Sequence, residues 1–146
     1  MIRSFSSVTK IRAPQTTVWG VMTDHMLYAR WTSAKAVAME RHGSPHPNGV
    51  GAVRVFDSGP FKVREEVLEF EPPSRMVYRL ASGLPIRNYR SEMQLEADGE
   101  ITVMTWASSF EPRIPLTGRH FVRLMRGAVD RFAAGIKDEA EARAGS

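Results

Sequence analysis

The run Tyr89–Phe110, YRSEMQLEADGEITVMTWASSF, decides the fold. In its first half Tyr89, Ser91, Met93 and Leu95 fall on one side, and Arg90, Glu92, Gln94 and Glu96 fall on the other. That two-residue period is the mark of a strand with one wet and one buried face. In its second half Met104, Trp106 and Phe110 share a side with the small polar Thr102 and Ser108. Asp98-Gly99 stands between the halves, and an Asp-Gly pair flanked by alternating runs is a strong hairpin signal. The reading is an antiparallel hairpin whose inner face is aromatic and rich in methionine.

Working outward, three more strands precede the hairpin: Ala52–Asp57, Phe61–Phe70 and Met76–Ala81. The breaks Ser58-Gly59-Pro60, Pro72-Pro73-Ser74 and Ser82-Gly83-Leu84-Pro85 leave no room for crossover helices, so neighbouring strands must be antiparallel. Ile2–Ile11 reads as an opening strand and Ala36–Arg41 as another, with His42–Gly51 a Gly/Pro loop. Between those two strands, Pro14 starts a short helix Gln15–Met22 and Asp24 caps a second, His25–Trp31. After Pro115 the period changes: Phe121, Met125, Ala128, Val129, Phe132 and Ile136 recur at three- and four-residue steps. This predicts a long amphipathic helix over about Thr117–Ala142. Its apolar stripe has only the sheet to bury against.

The chain's 146 residues suit one domain, 1–146, with one core. It has no cysteine, which excludes disulfides, thiolate nucleophiles and Cys-based metal centres. Only four of the 20 basic residues, Lys10, Lys35, Lys62 and Lys137, are lysine; the rest are arginine, and the net charge is +4. Arginine pairs bidentately with carboxylates and phosphates, so an anionic partner is permitted though not required. Met1–Lys10 carries no apolar leader segment, and no run is long and apolar enough to span a membrane. The expectation is a cytoplasmic protein without stable membrane insertion, a monomer or homodimer.

Polar residues on inner faces carry the most information, because burying them unpartnered is unfavourable. The set Phe61, Val63, Val67 places Glu65 and Glu69 on the inner side of their strand. The face of Ala52–Asp57 is ambiguous, with Ala52, Arg54 and Phe56 against Val53 and Val55. If Arg54 points inward, an Arg54–Glu65 pair could be structural or could hold a ligand carbonyl or carboxylate. If not, both are solvated surface charges.

Several segments resemble one family. Val8–Lys10 with Ile11-Arg12-Ala13-Pro14, Val18-Trp19 and Trp31 resemble the amino-terminal part of the START-like (SRPBCC, Bet v 1-like) superfamily. So do Arg64-Glu65-Glu66-Val67, the run Glu71–Tyr78, and Thr102–Trp106 before the last helix; the polyketide cyclase/dehydrase-like branch is most similar. The resemblance implies a helix-grip fold of the α+β class. In it a curved seven-stranded antiparallel sheet wraps around a long C-terminal helix, with two short helices after strand 1 and a hydrophobic cavity between sheet and helix. The superfamily hosts lipid carriers, receptors, cyclases and chaperone activators, so fold leaves function open.

Other chemistries find little support. His25, His42, His46 and His120 are scattered, with no His-carboxylate cluster, so no metal site and no cofactor are expected. No phosphate loop, dinucleotide fingerprint or nucleophile elbow is present. Arg119, Arg123 and Arg126 step along the last helix near its N-terminus, where cations oppose the helix dipole. That is compatible with an anionic lipid, nucleic acid or acidic protein, or with a solvated face partnered by Asp130 and strand glutamates. No basic stripe interleaved with aromatics argues for nucleic acid, and none is expected as partner.

The leading expectation is a module that binds a small or medium hydrophobic ligand: a lipid, a polyketide or an aromatic compound. Trp31, Tyr78, Tyr89, Trp106, Phe110, Phe121 and Met125 would form apolar walls, and Arg54 and Glu65 would orient polar groups. The alternative is a cyclase/dehydratase-type enzyme without metal or nucleotide cofactor. There Arg54 would polarise a carbonyl, and Tyr78, Glu65 or His120 would move protons. A partner-binding protein would instead show a filled interior and an exposed apolar patch.

Overall fold

The computed structural model describes residues 1–146. The hairpin is built as read: β6 (Ile86–Asp98) and β7 (Ile101–Pro112) pair with Met93 opposite Trp106 and Ser91 opposite Ser108. Gly99 takes φ 64° in the turn between them. Upstream lie β1 (Arg3–Ile11), β2 (Ala36–Arg41), β3 (Val53–Asp57), β4 (Lys62–Glu71) and β5 (Arg75–Ser82). Each strand pairs antiparallel with its neighbours in the order β1-β7-β6-β5-β4-β3-β2. Helix α1 (Gln15–Met22) follows β1, and α2 (Gly118–Ala144) closes the chain. The architecture is the seven-stranded sheet gripping a C-terminal helix that the sequence implied.

Two details differ from the strand and helix readings. The second short helix is a 3₁₀ turn, His25–Arg30, and the Asp24 side chain makes no capping bond. Strand β6 begins earlier than the alternation suggested, because a bulge at Asn88 (φ 55°) resets the register and lets the ladder continue back to Ile86.

The core lies between the concave sheet face and one stripe of α2: Phe121, Met125, Val129, Phe132, Ile136 and Ala140 are buried. Phe132 is its hub, with ring centroids 5.0 Å from Tyr28, 5.7 Å from Phe56 and 6.3 Å from Trp106. Burying a side chain of this size stabilises by roughly 1.5–3 kcal/mol. Gln15 ties α1 to the sheet, its amide donating to the carbonyls of Pro73 and Leu95. Outside this core, Glu66, Glu69 and Glu92 pair with Arg41, Arg75, Arg79 and Arg90 across the outer face. The strand arginines Arg75, Arg79 and Arg90 thus lie outward, as the alternation required.

Trp31 lies across α2 at Gly135, where a Cβ would overlap the indole. Only glycine permits this contact. Gly135→Ala is expected to lever Trp31 off the helix, lower stability by about 1–3 kcal/mol, and red-shift tryptophan emission. Emission of Gly135→Ala in a Trp31→Phe background isolates the indole. An unchanged unfolding midpoint in Gly135→Ala would show that the notch holds nothing.

Candidate functional site

Strand alternation carries Arg54 of β3 to the concave face, directly opposite Glu65 of β4. Both are buried, at 2% and 7% exposure. Arg54 Nε donates to Glu65 Oε1 at 2.9 Å, while Nη2, 2.8 Å from that same oxygen, lacks hydrogen-bond geometry. Of the three outcomes open in the sequence, solvated surface charges are ruled out by this burial. Glu69, expected beside Glu65, faces outward instead and pairs with Arg75 and Arg90. A bulge between Val67 and Glu69 flips the strand's polarity there. Phe61, placed on the same inner side, sits in the β3–β4 turn and is 64% exposed.

The guanidinium's other end meets a histidine that sequence reasoning left among the scattered ones. His25 Nε2 is 2.9 Å from the Asn48 carbonyl, and Arg54 Nη1 is 3.3 Å from His25 Nδ1. A carbonyl only accepts, so Nε2 carries the hydrogen and Nδ1 offers its lone pair to Arg54. Burial, reinforced by the Arg54 charge, pushes the His25 pKa down to about 3. The imidazole is therefore neutral. Three rings surround the guanidinium carbon: Tyr28 at 4.3 Å, Tyr78 at 4.9 Å and Phe56 at 5.3 Å. Cation–π contacts of this kind are worth about 2 kcal/mol when desolvated. Burial works against the charge of Arg54, but Glu65 and the tyrosine hydroxyls outweigh it and raise the pKa above its usual value.

The polar set continues along β5–β7. Ser91 Oγ donates to Tyr89 Oη at 3.0 Å and lies 2.6 Å from Ser108 Oγ. Tyr78 stands 6.3 Å from Tyr89 and 6.4 Å from Trp106, ring to ring. Burial raises the pKa of Tyr28, Tyr78 and Tyr89, so all three are neutral phenols at neutral pH. The Trp106 Nε1 hydrogen is buried with no acceptor, and Arg54 Nη2 makes no well-aligned hydrogen bond although Glu65 Oε1 is 2.8 Å away. Chemically the site is rich in hydrogen-bond donors around one buried ion pair, Arg54–Glu65, and its imidazole is engaged because His25 already accepts from Arg54.

Of the residues expected to line a ligand site, Arg54, Glu65, Tyr78, Tyr89, Trp106 and Phe110 converge here, Phe110 lying 6.3 Å from Tyr89. Phe121 and Met125 are buried on the first turns of α2. Trp31 is half-buried at the periphery, 5.2 Å from Tyr28, and helps form a surface hollow of about 460 Å³ with Arg131, Asp138 and Glu139. A hollow of about 610 Å³ lies between β1, β6 and β7 and includes Ser4, Arg90, Ser109 and Arg126. His120 is exposed on α2, its ring 5.1 Å from that of Phe121. His25 and Tyr28 were missed, although their three-residue spacing in a 3₁₀ turn puts both on one side. No three His, Asp or Glu side chains cluster in a metal-binding arrangement.

A family model described as polyketide cyclase / dehydrase and lipid transport matches residues 3–141. Solved structures with the same fold include a START superfamily protein from Mycobacterium smegmatis, 12% identical, TM-score 0.76, over 94% of this chain and 97% of that one. The protein TTHA0849 from Thermus thermophilus is 20% identical, TM-score 0.74, over 97% and 99%. The di-domain ARO/CYC BexL from the BE-7585A biosynthetic pathway is 19% identical, TM-score 0.76, over 96% of this chain and 50% of that one. A comparison with curated proteins gave no significant match.

Proposed function

The chain belongs to the polyketide cyclase / dehydrase and lipid transport family, and from that premise we propose that it binds a hydrophobic molecule bearing a hydrogen-bond acceptor between sheet and α2. The observation that carries this reading is the buried Trp106 Nε1–H, which has no acceptor, near Tyr78 and the Arg54 guanidinium, whose Nη2 makes no well-aligned hydrogen bond to Glu65. A buried donor without an acceptor is unfavourable by about 1–3 kcal/mol. A ligand carbonyl, carboxylate or hydroxyl relieves that, while Met93, Met104, Phe110 and the tyrosine rings supply an adaptable apolar surround. Lipids, polyketides and aromatic ketones all have this form.

Titration with fatty acids and aromatic ketones, read by tryptophan fluorescence and native mass spectrometry, tests the reading. Saturable binding is expected. Trp106→Phe, which removes the donor together with the pyrrole half of the indole, should weaken acceptor-bearing ligands by roughly tenfold more than plain hydrocarbons of the same size. No saturable binding by the unaltered protein overturns the reading. The cyclase/dehydratase alternative uses the same guanidinium to polarise a carbonyl; the phenols are neutral and His25 is engaged, so Glu65, already paired with Arg54, is the one carboxylate left to move a proton. Turnover of a poly-β-keto substrate by the unaltered protein would establish it.

A further inference from the structure

The strand register gathers the β3–β4 turn, the β5–β6 turn, the β7–α2 loop and the start of β1 at one end of the sheet. They form a continuous rim. Arg113 N donates to the Pro85 carbonyl at 3.0 Å, joining the last loop to the β5–β6 turn. Gly83 of that turn lies so close to the Lys62 backbone that any side chain would collide with it. Arg3 lies across Gly118 at the start of α2.

This rim has two properties. Ile2, Phe61, Ile114 and Leu116 are exposed on it, from three separate segments, with Leu116 wholly in solvent. Leu116 also holds φ 70°, a strained conformation for a bulky residue, although nothing in the fold packs against its side chain. Lys35, Lys62, Arg87, Arg113 and Arg119 are exposed around them, with Arg123 one turn along α2. None of these six cations enters any of the ion pairs of the molecule. The expected pairing of Arg119, Arg123 and Arg126 with Asp130 and strand glutamates is thus not formed; Arg126 reaches the Ser6 carbonyl instead. The acids at this end, Asp57 and Glu111, are engaged by the Gly59 N–H and the Asn88 amide.

We propose that this rim docks the protein on an anionic lipid bilayer. Isolated apolar tips held at different points above a field of unpaired arginine and lysine match an interface where tips enter the acyl boundary and cations meet headgroup phosphates. A protein partner would instead call for a contiguous apolar patch with complementary packing. Pro60 and Pro115 stiffen the β3–β4 turn and the β7–α2 loop that carry Phe61, Ile114 and Leu116. Docking here is separate from the reading of the interior, and substitutions on the rim leave the interior side chains untouched.

Flotation with vesicles of equimolar phosphatidylcholine and phosphatidylglycerol, against phosphatidylcholine alone, tests the proposal. Binding is expected to the anionic vesicles only and to fall as salt rises. Leu116→Glu with Phe61→Glu should weaken it by at least about tenfold, and Arg113→Gln with Arg119→Gln by roughly tenfold, with thermal melts unchanged because all four side chains are exposed. No flotation at low salt overturns the proposal, whether or not an acidic protein binds the rim. So does flotation that neither pair of substitutions reduces.

Discussion

Arg54→Ala is expected to lose about 3–5 kcal/mol of stability, a large share of what a domain of this size has. The loss has three sources that act together. Glu65, at 7% exposure, is left as a buried charge without its partner. His25 Nδ1 loses its donor. The space between Tyr28, Tyr78 and Phe56 that the guanidinium fills becomes a void. Replacing both charges, as Arg54→Met with Glu65→Leu, should recover most of the loss, since apolar substitutes of similar volume often match a buried pair. Urea unfolding of the two single variants and the double gives the coupling directly. A single Arg54→Ala variant with an unchanged midpoint would mean the pair contributes nothing to the fold.

The second expected result concerns acid. His25 is neutral in the folded protein, with its pKa pushed from 6.5 to about 3, while in the unfolded chain it titrates near 6.5. Protonation therefore favours unfolding. The stability contributed by the neutral imidazole is complete above pH 6.5 and is lost progressively as pH falls towards 3. A shift of this size corresponds to roughly 4–5 kcal/mol across that window. Other groups titrate over the same range, so the comparison is between the unaltered protein and His25→Gln. Unfolding midpoints measured at several pH values should show the unaltered protein's advantage shrinking as pH drops. Parallel slopes for the two proteins between pH 6.5 and 3 would refute the buried-neutral assignment. Imidazole nitrogen shifts should also report the Nε2–H tautomer well below pH 6.

What the sequence made legible, and what it hid, follows from the range of each interaction. Alternation in β6 and β7, the Asp98-Gly99 turn and the stripe Phe121–Ile136 are local patterns, and they yielded the antiparallel strands of one sheet and its covering helix, though not the pairing of β1 with β7. Glu69 was placed inward because a count of two runs straight through the β4 bulge, which only the pairing with β5 reveals. Phe61 was placed inward because the count ran past the end of the strand. Arg54 and Glu65 were legible as a pair only conditionally, since Val53 and Val55 made both faces of β3 apolar. His25 and Tyr28 escaped because a single 3₁₀ turn is too short to show a period, and their partners, Asn48 and Arg54, come from distant segments. The lack of partners for Arg119 and Arg123 was invisible for the same reason: whether a carboxylate is within reach is a tertiary property.

The pairing of β1 with β7 sets Arg3 against Phe110 and Ile11 against Thr102. The first strand of the sheet is thus completed by the last. Contacts between neighbours in sequence let the meander from β3 to β7 assemble early, whereas closing β1 needs a loop spanning most of the chain, a slow step for any polypeptide. During synthesis β1 waits unpaired, a bare edge with Phe5 uncovered until β7 appears. Its composition suits that wait: Ser4, Ser6, Ser7, Thr9 and Lys10 make it a poor template for a second chain. The polarity of the opening strand is a property of the nascent chain as much as of the finished fold.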